Sequence, residues 1–388
     1  DTSIQPCLAE SGVMEGNIWT ITLKDGIKFS NGNPVTPEMV IRNLQRSAEI
    51  NAKANFINDF KFDVVDDHTI KIDCGDEYPT LLNTLASPGY AIADLDATTD
   101  FTKELVATGP FVIENFEPGN VVSVSKNENY WDGEVKMDHV DFYYMQDDDT
   151  KLMAMQNGEI DAYTGVTAAA KEIYEADPDT YNVVTLPAKR LQFYILNENR
   201  LSEKLREAIN LTVDANAMEE YLGGTVTATV GPFSSTVQYG QVTKPAVDTE
   251  KAKALIEEEG YTLNGDGYYE KDGAVLSLNI AYYASRSLDT LATLMQEQLK
   301  NIGVQASLTC EEDPDATYMS TGDFDIALYC SIADMTGDPE YFLSGLVNGF
   351  YTIGGFQDEE CSSLLESLKH EADVNKRAEI SNQIVQKL

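Results

Sequence analysis

Long apolar runs are missing from this 388-residue sequence: no window approaches the roughly 18 uninterrupted apolar residues that span a bilayer, so no transmembrane helix is expected. Positive charge is scarce as well, with 27 Lys and Arg against 65 Asp and Glu and a net charge of −38. That balance leaves no basic footprint for phosphate, so a nucleic-acid partner is not expected. Histidine is nearly absent, and the three present (His68, His139 and His370) are too few and too scattered for a His-rich metal site. The five cysteines, Cys7, Cys74, Cys310, Cys330 and Cys361, are odd in number and contain no CxxC pair. Neither a disulfide framework nor a zinc site is written there, and buried free thiols are expected.

Enzyme signatures are missing too. There is no G-x-S-x-G elbow, P-loop or G-x-G-x-x-G. His370-Glu371 starts like a zincin motif, but Val374 stands where the second His belongs. The carboxylate runs Asp147-Asp148-Asp149 and Glu257-Glu258-Glu259 read as solvated turns and helix faces rather than glycosidase pairs. Asn264-Gly265-Asp266-Gly267 resembles half a calcium loop, yet Thr262 replaces the first carboxylate, so a turn before a hairpin is expected. No catalytic residue and no cofactor are expected.

What is present is a well-punctuated α/β pattern. With 43% apolar residues, the chain exceeds the roughly 250–300 residues at which one core stops growing, so at least two lobes are expected. Thr36 caps a helix with Pro37 in its first turn, and Ser202, Asp214 and Asp248 each start another. Thr150 is expected to cap a helix over 152–156, followed by a strand at Ile160-Asp161-Ala162. Pro118-Gly119 and Asp272-Gly273 sit between strand-like runs and predict hairpins. Leu288, Leu291, Met295, Leu299 and Ile302 recur at helical spacing between strand-like 276–280 and 304–308. That order makes a βαβ unit with a parallel pair.

Candidate ligand contacts follow from this frame. Tyr282, Tyr283 and Arg286 fall between the strand and the helix of the βαβ unit, at a strand's carboxyl end, where open α/β sheets place ligands. Asp334 lies just past another strand-like run, Ile326-Ala327-Leu328-Tyr329, and Arg190 immediately precedes the apolar run Leu191-Gln192-Phe193-Tyr194-Ile195-Leu196. A zwitterion leaving water needs a partner for each of its charges, which a carboxylate and a guanidinium supply. Asp338-Pro339-Glu340 reads as a helix cap instead, and Asn197, Trp19 and Trp131 as structural residues.

Ordered fragments along the chain carry a family resemblance. They are Leu8-Ala9-Glu10-Ser11, the run from Trp19 to Gly32 (WTITLKDGIKFSNG), Thr36-Pro37-Glu38-Met39-Val40 and Thr108-Gly109-Pro110-Phe111. Asn127 through Tyr130-Trp131, Gly158-Glu159-Ile160-Asp161, Leu205 through Asn210, and Asp248 through Tyr261 continue the series. In this order they resemble the family 5 solute-binding proteins of bacterial ABC importers for peptides and nickel. The resemblance implies a two-lobed periplasmic-binding-protein fold of type II with an extra inserted subdomain at about 24–105, an N-terminal lobe over 1–192 and a C-terminal lobe over 193–388, the crossover lying near 191–197. It also implies a chain trimmed at both ends. By resemblance, Asp334 would hold a peptide's α-ammonium group and Arg286 its carboxylate, although Met335-Thr336-Gly337 lengthens the loop beyond the family pattern.

The implied function is capture of a short peptide in an inter-lobe cleft and delivery to a membrane permease and its ATPase. A nickel or metal-chelate binder of the same family is the alternative. A monomer outside the cytoplasm is expected, periplasmic or held at the cell surface as a lipoprotein. Cys7 itself, with no apolar run before it, does not read as a lipidation site. An enzyme or surface interaction module on the same scaffold has no supporting residue.

Overall fold

The computed structural model describes residues 3–186, 188–234 and 236–388. The chain divides into two compact units, Asp1–Tyr163 and Thr164–Leu388.

In the first unit, strands β1 (Ala9–Glu15), β2 (Ile18–Leu23), β3 (Lys61–Asp66) and β4 (Thr69–Asp73) form an antiparallel sheet in the order β1-β2-β4-β3. Alternation sets its faces: Trp19, Ile21 and Leu23 of β2 point inward with Ile70 and Ile72 of β4. Helix α1 (Pro37–Ile50) covers them with Leu44 and Ala48, and its start is fixed by Thr36, whose hydroxyl accepts from Met39 N at 3.3 Å. Short α2 (Leu81–Leu85) adds Leu81 to the same core. The inserted subdomain was expected from residue 24, but β1 and β2 precede that point and β2 is central to this core. Trp19 donates to the Tyr78 carbonyl at 2.9 Å, which confirms its structural role.

A second sheet in this unit runs β5 (Phe111–Glu117), β6 (Val121–Lys126), β7 (His139–Tyr143), all antiparallel. The expected Pro118-Gly119 hairpin joins β5 to β6, with Gly119 at φ +74° and Asn120 N donating to Glu117 O at 3.0 Å. Helix α3 (Asp148–Gln156) follows. Its cap is Asp147, which accepts from the backbone N–H of Thr150 at 2.7 Å, so the expected Thr150 cap is corrected: the carboxylate one turn earlier wins that donor. Nor is there a strand at 160–162, because those residues find no ladder partner.

The second unit contains α4 (Ala168–Glu175), β8 (Arg190–Leu196), α5 (Glu203–Thr212), α6 (Ala215–Tyr221) and α7 (Thr249–Glu258). The small strands β9 (Thr262–Leu263), β10 (Tyr269–Lys271) and β11 (Ala274–Val275) form the predicted turn and hairpin, where Asn264 closes the turn by accepting from Asp266 N and Tyr268 N. The main sheet has the order β13 (Gln305–Cys310), β12 (Ser277–Tyr282), β14 (Ile326–Ile332), β8. Strand β12 is parallel to both neighbours, whereas β8 returns antiparallel to β14.

Helix α8 (Leu288–Asn301) connects β12 to β13 as the spacing predicted, burying Leu288, Met295, Leu299 and then Ile302. Gly303 ends it at φ +87°, where a Cβ would meet the Gly267 carbonyl at 3.0 Å, so a side chain is excluded twice over. Short α9 (Tyr318–Thr321) precedes β14. Beyond the sheet, α10 (Pro339–Gly345), α11 (Tyr351–Ile353), α12 (Glu359–His370) and α13 (Val374–Lys387) complete the unit. Helices α10, α12 and α13 share a core of Phe342, Leu343, Leu365, Leu368 and Ile384.

Residues 164–192, expected with the N-terminal lobe, group with this second unit. For residues 190–192 the reason is pairing: β8 hydrogen-bonds along β14 from Leu196↔Ile326 to Arg190↔Ile332. Cysteine burial also differs from expectation, since only Cys330 and Cys361 are buried while Cys7 and Cys310 are exposed. Cys310 ends the edge strand β13, which among the described residues has no strand on its outer side.

Candidate ligand-binding edge of the second unit

Because β12 and β14 are parallel and β8 is antiparallel to them, one edge of the sheet collects the ends of the first two and the start of the third. All five candidate residues, Tyr282, Tyr283, Arg286, Asp334 and Arg190, fall at that edge.

Tyr282 and Tyr283 leave β12 in different surroundings. Tyr282 is half-buried against the α8 core, and burial together with the neighbouring Cys310 thiol raises its phenol above the ordinary value. The Tyr283 hydroxyl lies 2.8 Å from Cys330 Sγ, and burial followed by that contact raises its phenol strongly. Arg190 donates weakly to the same sulfur at 3.8 Å. Tyr283 also opens an aromatic box: its ring is 5.8 Å from Tyr329, which lies 5.1 Å from Phe350 and 6.1 Å from Phe193. Tyr329 donates to Asp315 at 2.9 Å, and burial with that carboxylate raises its phenol too. Both phenols therefore stay protonated across ordinary pH, giving the box neutral polar tips.

Arg286 follows on a strained turn. Arg286 and Ser287 adopt φ of +57° and +59°, two consecutive left-handed residues with side chains, a conformation that costs about 1–2 kcal/mol each. Gln192 of β8 holds the turn by donating to the Arg286 carbonyl at 3.2 Å. The guanidinium is exposed and makes no side-chain hydrogen bond or ion pair among the described residues. In a chain with more than two acids per base, an uncommitted Arg is a notable feature.

Asp334 is the opposite case. It is buried, and both oxygens are committed: Oδ1 accepts from the Tyr239 hydroxyl at 2.9 Å and Oδ2 from Lys189 Nζ at 2.6 Å. Ala333 N donates to the Lys189 carbonyl at 2.8 Å, extending the β8–β14 pairing by one step and setting Lys189 beside the carboxylate. The loop's far end is pinned by Asp338. It caps α10 by accepting from Glu340 N at 2.9 Å, and it receives Arg377 of α13 through Nε at 2.9 Å and Nη2 at 2.6 Å. The cap was legible in the sequence. Lys189, Tyr239 and Arg377 were not, since each reaches this loop from 39 to 145 residues away and no local pattern announces it.

Other chemistry does not assemble. Among the described residues no three His, Cys, Asp or Glu side chains converge to hold a metal. His68, His139 and His370 lie at the surface beside Asp25, Asp141 and Glu366 respectively. Asn197, expected to be structural, is buried and donates to the carbonyls of Gly322 and Phe324 at 3.0 and 2.8 Å. Trp131 carries Lys24 Nζ 4.4 Å from its ring centroid.

Residues 3–352 match the family described as bacterial extracellular solute-binding proteins, family 5 Middle. The chain belongs to this family. The nickel-binding protein NikA of Staphylococcus aureus is 25% identical over 375 residues, covering 94% of this chain and 74% of that protein. The crystal structure of S. aureus NikA in complex with Ni(L-His)2 superposes with a TM-score of 0.86 at 23% identity, over 99% of this chain and 82% of that one. The nickel-binding periplasmic protein of Escherichia coli is 28% identical over 339 residues, 81% of this chain and 64% of that protein. The oligopeptide-binding protein AppA of Bacillus subtilis, in complex with a nonapeptide, gives a TM-score of 0.80 at 21% identity, over 98% of this chain and 81% of that one. The expected α/β fold of two-lobed periplasmic binding proteins is thus the fold of this chain. Its relatives are solute-binding proteins of transport systems, and no helix among the described residues is long and apolar enough to cross a membrane.

Proposed function

We propose that this protein captures a small carboxylate-bearing solute outside the cytoplasm and presents it, chemically unchanged, to the permease and ATPase of an ABC importer. The observation that carries the reading is the uncommitted, exposed Arg286, held on a strained turn at the carboxyl edge of the sheet. Guanidinium groups pair with carboxylates in a planar, two-pronged geometry, and strain retained at one turn is a common mark of a site kept in place for a partner. A metal–amino-acid chelate is the ligand class we favour. Nickel-binding relatives support it, and such a ligand carries its metal's donors with it and offers carboxylates to Arg286.

A short peptide is the second reading. Arg286 and Asp334 follow the adjacent parallel strands β12 and β14, which brings groups of opposite charge to one sheet edge, as recognition of a zwitterion requires. The experiment is calorimetric titration with Ni(L-His)2 and with di- to nonapeptides, on the native protein and on Arg286→Ala. Loss of a charged hydrogen-bonded contact, about 1.5–3 kcal/mol, weakens the ligand about 10- to 150-fold. Unchanged affinity in Arg286→Ala for every ligand that binds the native protein would refute the assignment.

A further inference from the structure

The two partners of Asp334 are of different kinds. Tyr239 is built into the core, its ring 5.0 Å from Phe233 and its phenol raised by burial and by the carboxylate it meets. Lys189 comes in from the solvent side, with 44% of its side chain exposed against 5% for Asp334. One partner is a fixture, and the other is a tethered ammonium on a four-carbon stem. Arg377 does not compete for the place, because its own donors go to Asp338 and to the carbonyls of Leu368 and Glu371.

We propose that Lys189 is an internal stand-in for a ligand's ammonium group and acts as a specificity residue. While it sits on Asp334, solutes that must be recognised through a free amino group are rejected, and solutes recognised through their carboxylates are accepted. An incoming ammonium replaces an identical group, so the ion pair it makes is offset by the pair it breaks. It also competes with a partner whose tether holds it at an effective concentration of at least about millimolar. Negative selection of this kind gives specificity without improving any contact to the accepted ligand.

The inference rests on the reading of this edge as the ligand site, and the test separates the two. Native protein, Lys189→Met and Lys189→Arg are titrated calorimetrically with Ala-Ala and with N-acetyl-Ala-Ala, their folds compared by circular dichroism. Lys189→Gln replaces Lys189→Met if the latter does not fold. The expected result is at least about a tenfold gain for Ala-Ala in Lys189→Met, no gain for the acetylated form, and native-like behaviour in Lys189→Arg. A native protein that already prefers Ala-Ala over its acetylated form tenfold, or a folded Lys189→Met with no gain, overturns the proposal. If Arg286→Ala spares all binding while Lys189→Met still gains the amine, the Arg286 reading fails and the stand-in survives. Loss of binding in Arg286→Ala together with an unresponsive Lys189→Met sinks the stand-in alone.

Discussion

Replacing Arg377 with Ala tests what holds the Asp334–Asp338 loop in place. The guanidinium side chain is 6% exposed and the Asp338 side chain 12%, and the two are joined through two parallel hydrogen bonds at 2.9 and 2.6 Å. A third nitrogen donates to the carbonyls of Leu368 and Glu371, closing the end of α12 where its last carbonyls lack partners. Truncation leaves a nearly buried carboxylate without its cation, though still accepting from Glu340 N, and opens that helix end. Breaking one side of such a pair costs about 3–5 kcal/mol, a large share of the roughly 5–15 kcal/mol that holds a domain together. With a urea slope near 2–3 kcal/mol/M, the midpoint of the second unit should fall by about 1–2.5 M, read by the fluorescence of its tyrosines and by circular dichroism.

The double variant Arg377→Met with Asp338→Asn should recover part of the loss, since it removes both charges and keeps a capping side chain. A midpoint shift in Arg377→Ala worth under about 1 kcal/mol, or a double variant that simply adds both single losses, would refute the claim that this pair is buried and coupled.

Two further outcomes follow from titration and burial. Burial and the adjacent Asp73 push the Cys74 thiol up to about 11, so its alkylation rate, followed by mass spectrometry, should still climb about tenfold per pH unit through pH 9–10. A plateau near pH 9 would contradict that. Burial and then Asp338 raise the Glu340 carboxyl above its usual range. A folded value above the unfolded one means that the stabilising contribution is present at low pH and is lost as pH rises through the folded value. Glu340→Gln should therefore raise the urea midpoint at pH 7, and the gain should vanish toward pH 4. Equal gains at both values would show the carboxyl to be unperturbed.

Much of the fold was legible because its signals are local. A cap, a turn or a helical stripe is decided within a few residues, which is why Thr36, Ser202, Asp214, Asp248 and the Leu288–Ile302 stripe all appear where the spacing put them. The cap at Asp147 shows the limit of such reasoning, since neighbouring hydroxyl and carboxylate residues compete for one donor and only geometry names the winner.

The sequence alone determined the family and the strand ends that carry Tyr282, Tyr283, Arg286 and Asp334, because strand ends are set by short apolar runs and the turns after them, whereas the β8–β14 pairing that brings Arg190 to the same edge was decided by the tertiary structure. Tertiary structure alone decided which of those charges are free. Lys189 occupies Asp334 from 145 residues away and nothing among the described residues occupies Arg286, so two candidates equal in sequence become one filled pole and one open pole. The physical reason is that a charge is satisfied by whatever chain returns beside it, and that return is set by strand pairing and helix packing rather than by its neighbours in sequence.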